Sequence, residues 1–170
     1  MNPVRTLLFV WHSRTGTAHA MTKAAVHGAQ QIADTLNAAD SVRIIARHAS
    51  KTQARHLLEA DTLVFCAPEN LGSVSGVMKE FFDRNYYDCL DRLNGTPFAL
   101  MVAAGSDGQG AVRQIERICT GWRLRSIAPP LVIGTSAQTP QAIAARKTLT
   151  PEQRQRCEEL GGTLAALLIQ

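Results

Sequence analysis

The chain has 170 residues, of which 45% are apolar and 19% charged, and its formal net charge is +4. That length suits one compact domain with a full core and excludes two separate catalytic domains or a disordered chain. Apolar runs such as Leu7 to Trp11 and Leu63 to Ala67 fall far short of the roughly 20 residues that a membrane-crossing helix needs.

The N-terminus enters an apolar run with no small-residue cleavage pattern, so the expected compartment is the cytoplasm. Cys66, Cys89, Cys119 and Cys157 form no CxxC pair and are expected to be reduced, buried thiols. Fourteen of the eighteen basic residues are Arg, spread along the chain, and only nine side chains are aromatic. Basic stripes interleaved with stacking rings are absent, which argues against nucleic acid as a partner.

In chain order, short apolar runs alternate with helical patterns, the signature of βαβ construction. Val4 to Trp11 is almost continuously apolar, as befits a strand covered on both faces. A helix follows from Thr17 to Leu36, with Ala18, Met21, Ala25, Ala29, Ile32 and Leu36 as its buried stripe. Val42 to Ala46 reads as the second strand and Lys51 to Glu59 as a short helix. The third strand, Thr62 to Ala67, is expected to stop at Pro68, which lacks an amide donor. A loop, Glu69 to Ser75, leads into a helix from Gly76 to Asp88. Pro97 to Ala104 is the fourth strand, Gly105 to Gly110 a loop, and Ala111 to Cys119 a helix. Arg123 to Ile133 is extended but holds Pro129-Pro130, so the fifth strand should be bent or divided. The closing helix starts at Thr150 as N-cap with Pro151 in the first turn, and Cys157, Leu160, Leu164, Leu167 and Leu168 should face the core.

Five strands separated by helices suggest an α/β fold with an open parallel sheet, in which ligands sit beyond the carboxyl ends of the strands. Three loops there are candidates. Ser13-Arg14-Thr15-Gly16-Thr17-Ala18 joins the first strand to the first helix and offers hydroxyls, small residues and free helix amides to a phosphate. It matches neither GxxxxGK[ST] nor GxGxxG. Read alone, it fits an ordinary capped turn equally well.

The second loop is Pro68-Glu69-Asn70-Leu71-Gly72-Ser73-Val74-Ser75-Gly76, continuing to Lys79 and Asp83. Through Pro68, Glu69, Gly72, Ser73, Ser75, Gly76, Lys79 and Asp83 it resembles flavodoxin-like NAD(P)H-dependent FMN reductases. It is also similar to the tryptophan-repressor-binding-protein flavoproteins. The resemblance implies a flavodoxin-like, doubly wound five-stranded sheet of order 2-1-3-4-5 with helices on both faces. It further implies that Pro68 to Ser73 line the isoalloxazine ring. The third loop, Ala104-Gly105-Ser106-Asp107-Gly108-Gln109-Gly110, is by itself only a glycine-rich turn. In the resembled family its counterpart holds the other side of the flavin, so Ala104, Gly105, Ser106, Asp107, Gly108 and Gly110 join the candidate cofactor-binding set.

The resemblance implies FMN as cofactor, NADH or NADPH as electron donor, a quinone, flavin or other small molecule as acceptor, and a homo-oligomer, dimer or tetramer. The redox chemistry would reside at flavin N5, so no catalytic side chain is assigned. A flavodoxin-type electron carrier is the alternative, and the positive net charge speaks against it, because such carriers dock through acidic surfaces. Neither flavin loop carries an aromatic residue, which implies an open ring face unless Tyr86, Tyr87 or a partner subunit covers it. Cys119 to Ser126 fits the phosphatase pattern C-x5-R-S, but Cys119 ends a helix and Trp122, Arg123 and Leu124 are bulky for a phosphate cradle.

Overall fold

Residues 3–170 are described by a computed structural model. The strands are β1 (Arg5–Trp11), β2 (Val42–His48), β3 (Thr62–Asn70), β4 (Ser73–Val74), β5 (Pro97–Ala104), β6 (Arg125–Ser126) and β7 (Leu131–Gly134). The helices are α1 (Thr17–Thr35), α2 (Ala54–Leu58), α3 (Gly76–Cys89), α4 (Gln109–Gly121), α5 (Pro140–Ala144) and α6 (Pro151–Ile169). The main sheet runs β2-β1-β3-β5-β6 and is parallel throughout. Both β6 and β7 pair with β5, on either side of Pro129-Pro130. These two pieces are the divided fifth strand, and the order is the doubly wound 2-1-3-4-5.

Alternation along the strands assigns side chains to two cores. Leu7 and Phe9 on β1, with Val64 and Cys66 on β3, pack against Met21 and Ala25 of α1 and Leu164 of α6. Leu8 and Val10, with Phe65, face the other way onto Phe81 and Phe82 of α3 and Trp122. Covering both faces explains why these strands read as continuous apolar runs. All four cysteines are free and buried.

Several boundaries differ from expectation. β3 does not stop at Ala67 but continues through Pro68 to Asn70. Pro68 lies beyond the last β1 partner, Trp11 opposite Cys66, so its missing amide interrupts no bond to β1, while its carbonyl accepts from Ser75. Asn70 then turns into β4 through Leu71 and Gly72, whose φ angles of 52° and 74° suit a two-residue hairpin turn. β2 extends to His48, and the helix expected over residues 51–59 splits into a 3-10 turn and α2. α4 is a residue or two longer at each end than expected. The short helix α5 was not expected. It is capped by the Thr139 hydroxyl and started by Pro140.

The core stripes also need correction. Leu167 is 48% and Leu36 50% exposed, whereas Gly161, Gly162 and Ala165 are buried beside Cys157 and Leu164. α6 presents its small residues to α1: a Cβ at Gly161 would land on the Ala25 carbonyl, and one at Gly28 on the Glu158 carbonyl. The two longest helices thus touch backbone to backbone, leaving the outer leucines at the margin.

Candidate functional site

The site begins where β1 ends. Ser13 to Gly16 turn the chain into α1, with the Ser13 hydroxyl accepting from the Gly16 amide at 3.1 Å. Gly16 caps the helix at φ 107°, a left-handed conformation that other residues adopt only with strain. The first turn of α1 carries no acidic residue, so its unpaired amides and positive dipole end face the loop unopposed.

Thr17 occupies the first turn and is 4% exposed, and its hydroxyl has no hydrogen-bond partner among the described residues. Burying such a group unpaired costs about 1–3 kcal/mol. Thr22, one turn further along α1, is committed to the Ala18 carbonyl at 2.9 Å.

A cavity of about 610 Å³ opens over this loop, within the usual size for a small-molecule site. It is lined by Ser13, Arg14, Thr15, Thr17 and Ala18 of the first loop, by Pro68 to Gly72 of the second, and by Ala104, Gly105 and Ser106 of the third. The structure therefore brings all three predicted loops to one concavity at the carboxyl ends of β1, β3 and β5.

Five of the predicted residues do not line it. Gly16 points to the far side of its loop, toward the Lys147 carbonyl. The Ser73 hydroxyl donates to Gln114 Oε1 at 2.8 Å, tying the β3–β4 hairpin to α4. Asp107 accepts from the Gln109 amide at 2.9 Å, and Gly108 caps α4. Gly110 lets the third loop meet the second, since a Cβ there would strike the Gly72 carbonyl. Glu69 reinforces the same junction by accepting from the Ala111 amide at 3.1 Å. Glu69 also lines the cavity, whereas Gly16, Ser73, Asp107, Gly108 and Gly110 support its walls from outside.

The cavity has a wall that sequence reading missed. Thr135, Ala137, Gln138, Ile143, Ala144 and Lys147, from the segment between β7 and α6, form it. The Lys147 amide donates to the Thr15 carbonyl at 2.9 Å. Its ammonium group donates to the carbonyls of Ile143 and Ala145, both at 2.8 Å, and lies 3.5 Å from the Thr15 hydroxyl. Among the described residues no carboxylate pairs with Lys147 or Arg14. The loop is thus flanked by two cations without a carboxylate partner, in addition to the helix dipole. The only signal in the sequence was Lys147 itself, the sole lysine in the last 90 residues.

No aromatic side chain lines this cavity. Tyr86 stacks on Trp122 instead, with ring centres 5.8 Å apart, and Tyr87 is 81% exposed on α3. Leu71, fully exposed at the hairpin tip, and half-exposed Ile143 are the apolar side chains on its rim. His12, at the end of β1, shares a 2.7 Å hydrogen bond with buried Ser75. Burial, then His48 and Arg14, lowers its pKa, so its ring is held neutral. Lys79 and Asp83 form a surface ion pair at 2.6 Å.

The cysteines take no part. Burial pushes the Cys66 thiol up to about 12, and its Sγ donates to the Ala18 carbonyl. Cys119, of the phosphatase-like pattern, lies buried in α4 with its pKa raised by burial. A thiol held neutral in a helix cannot act as the nucleophile of a phosphate loop.

A parallel sheet of this order, with loops after its first and third strands and after β5 joined in one cavity, defines a flavodoxin-like fold. The sequence profile of the family described as NADPH-dependent FMN reductase matches residues 26–138, two-thirds of the chain, and the chain belongs to that family. The matched span includes the second and third loops but not the first loop at 13–18. A flavodoxin of Aquifex aeolicus (strain VF5) is 25% identical over 163 residues, covering 94% of this chain and 84% of the relative. Among solved structures, a flavodoxin from the domain Archaea superposes with a TM-score of 0.73 at 16% identity, over 97% of this chain and 99% of that one. An oxidoreductase from Corynebacterium diphtheriae gives 0.71 at 18% identity, over 98% and 97%. At these identities the structural likenesses speak for the fold. No helix among the described residues is long and apolar enough to cross a membrane.

Proposed function

We propose that the chain is an FMN-dependent oxidoreductase that takes electrons from NADH or NADPH and passes them to a quinone, a flavin or another small acceptor. The observation that carries this reading is the buried, unpartnered Thr17 hydroxyl at the head of α1, inside a cavity walled by the three loops. A hydroxyl beside free helix amides and two unpaired cations fits a phosphomonoester. The part of the cavity between Pro68 to Gly72 and Ala104 to Ser106 offers backbone against which a flat heterocycle could lie.

In this reading Ser13, Thr15, Thr17 and the amides opening α1 bind the phosphate, with Arg14 and Lys147 as counter-charges. Backbone at Pro68 to Gly72 and at Ala104 to Ser106 orients the ring, and Glu69 and Gly110 keep those two walls in register. FMN, when bound, supplies the two-electron chemistry, and the protein supplies binding, orientation and electrostatics. Because no aromatic side chain belongs to the cavity wall, a planar donor or acceptor can reach the ring from solvent.

The carrier alternative is favoured by the Aquifex relative, whose name is flavodoxin. The net charge of +4 opposes it, since an acidic surface is the usual means of docking basic redox partners. Anaerobic mixing separates the two. An enzyme with FMN added is bleached by NADH or NADPH within its turnover time, whereas a carrier keeps its absorbance with both. Failure to take up FMN at all overturns both readings. A dimer or tetramer is part of the proposal, tested by sedimentation equilibrium.

A further inference from the structure

A second cavity of about 480 Å³ lies on the other side of the Ser13–Gly16 loop, at the carboxyl ends of β1 and β2. Ser13, Arg14, Thr15 and Ala144 line both cavities, so this loop is the wall between them. The second cavity adds Trp11, His19, His48 and Arg146. Its lining contains no carboxylate, and among the described residues neither Arg14 nor Arg146 forms an ion pair.

The rings are organised. His19 stacks on Trp11 with centres 4.2 Å apart and planes within 7°, and His48 meets Trp11 edge-on at 4.9 Å. His19 is exposed, which leaves the outer face of the stack open. Burial and the neighbouring charges of Lys23, His48 and Arg146 lower the pKa of His19, so at neutral pH it is an uncharged stacking surface rather than another cation.

A flat platform beside two unpaired guanidinium groups selects a ligand that is aromatic at one end and anionic at the other. We propose that this cavity binds the adenosine-phosphate end of a dinucleotide, with the purine extending the Trp11–His19 stack and Arg146 and Arg14 holding phosphate. The inference rests on the flavin reading for its neighbour, because the shared wall would place this ligand next to the flavin phosphate. Two molecules carry this moiety: FAD, reaching across the wall from the first cavity, and NADH or NADPH, arriving beside bound FMN.

Full-length protein is titrated first with FMN, then with AMP, adenosine and inorganic phosphate, by calorimetry and by tryptophan fluorescence. Trp122 is fully buried in the opposite core with its Nε1 donating to the Tyr86 carbonyl, so a fluorescence change reports on Trp11. AMP is expected to bind at least about tenfold more tightly than adenosine or phosphate, since it alone uses both features. Arg146→Ala should weaken AMP by about tenfold and leave FMN unchanged, and Trp11→Phe should abolish the fluorescence change while calorimetric binding persists.

Two further arms identify the source. FAD binding the flavin-free protein more tightly than FMN, with the difference lost in Arg146→Ala, identifies the flavin dinucleotide. AMP binding to FMN-loaded protein and being displaced by NADPH identifies the nicotinamide dinucleotide. Absence of AMP binding overturns the inference, as does inorganic phosphate binding as tightly as AMP. If FMN binds and AMP does not, the flavin reading stands and this one falls. If AMP binds and FMN does not, the flavin reading falls and this site remains.

Discussion

Replacing Thr17 with Val should move stability and affinity in opposite directions. In the ligand-free protein its hydroxyl is buried without a partner, so the substitution removes a polar group that folding left unsatisfied. Relief of that penalty is worth about 1–3 kcal/mol at most, and the extra methyl in a tight site takes back part of it. With roughly 2–4 °C per kcal/mol for a chain of this size, the ligand-free variant should melt at the wild-type temperature or a few degrees above it. With FMN the sign reverses. A hydrogen bond to an ionised phosphate contributes about 1.5–3 kcal/mol, which converts to a loss of roughly tenfold to a hundredfold in affinity. Riboflavin, which lacks the phosphate, should bind both proteins equally. The assay is a pair of fluorescence titrations, FMN and riboflavin, beside thermal melts without ligand. A variant that melts lower than wild type yet binds FMN equally well would refute the reasoning, because Thr17 would then serve the fold alone.

Lys147→Met should weaken FMN by about tenfold and spare riboflavin, and the salt dependence of FMN binding should shrink with the lost cation; equal loss for both ligands would make the residue merely structural. Gly16→Val combines a left-handed φ of 107° with a side chain 3.2 Å from the Lys147 carbonyl, and unchanged FMN affinity in that variant would remove the loop from the site. Gly161→Ala forces α6 off the Ala25 carbonyl; overpacking of about 1–3 kcal/mol predicts a melting temperature lower by roughly 2–12 °C, while a melt at the wild-type temperature would mean that the helices do not touch there. His12 and His19 both have lowered pKa values, so as pH falls through about 6.5 the unfolded chain takes up protons that the folded chain refuses. Their contribution to stability is present above that pH and lost below it. Urea midpoints between pH 8 and 5 should therefore fall with pH, and a flat profile would contradict the lowered values of these two rings.

The strands were legible because a doubly covered parallel sheet leaves little choice of residue. Leu63 to Ala67 must be apolar on both faces, and the chain supplies such a run where a strand is needed. The start of α6 was equally plain, for Thr150 and Gln153 cap each other through local bonds three residues apart. Its buried face was not. Reading by size put Leu167 in the core, whereas the contact with α1 is made by Gly161 and Gly162, whose value lies in what they lack. Periodicity scores side chains, and a backbone-to-backbone contact offers none to score.

The same division between local and distant information runs through the site. The loop at 13–18 and the loop at 68–76 were visible because each is a short segment whose residue types carry its chemistry. The wall from Thr135 to Lys147 was not, because it has no motif of its own. Its place depends on bonds from Lys147 to Thr15, 132 residues away, and the chain near Lys147 reads as an exposed polar linker until that contact closes. The sequence also showed two loop glycines without showing their purpose. Gly110 resembles a cofactor-facing residue in a glycine-rich turn, yet its bare Cα is what lets α4 approach the Gly72 carbonyl and lock the second and third loops together. Gly16 caps α1 and meets the lysine segment from outside. Both act on a ligand of the first cavity only through the walls they hold, so substitutions there should change how that cavity is shaped, and those at Thr17 and Lys147 what it binds.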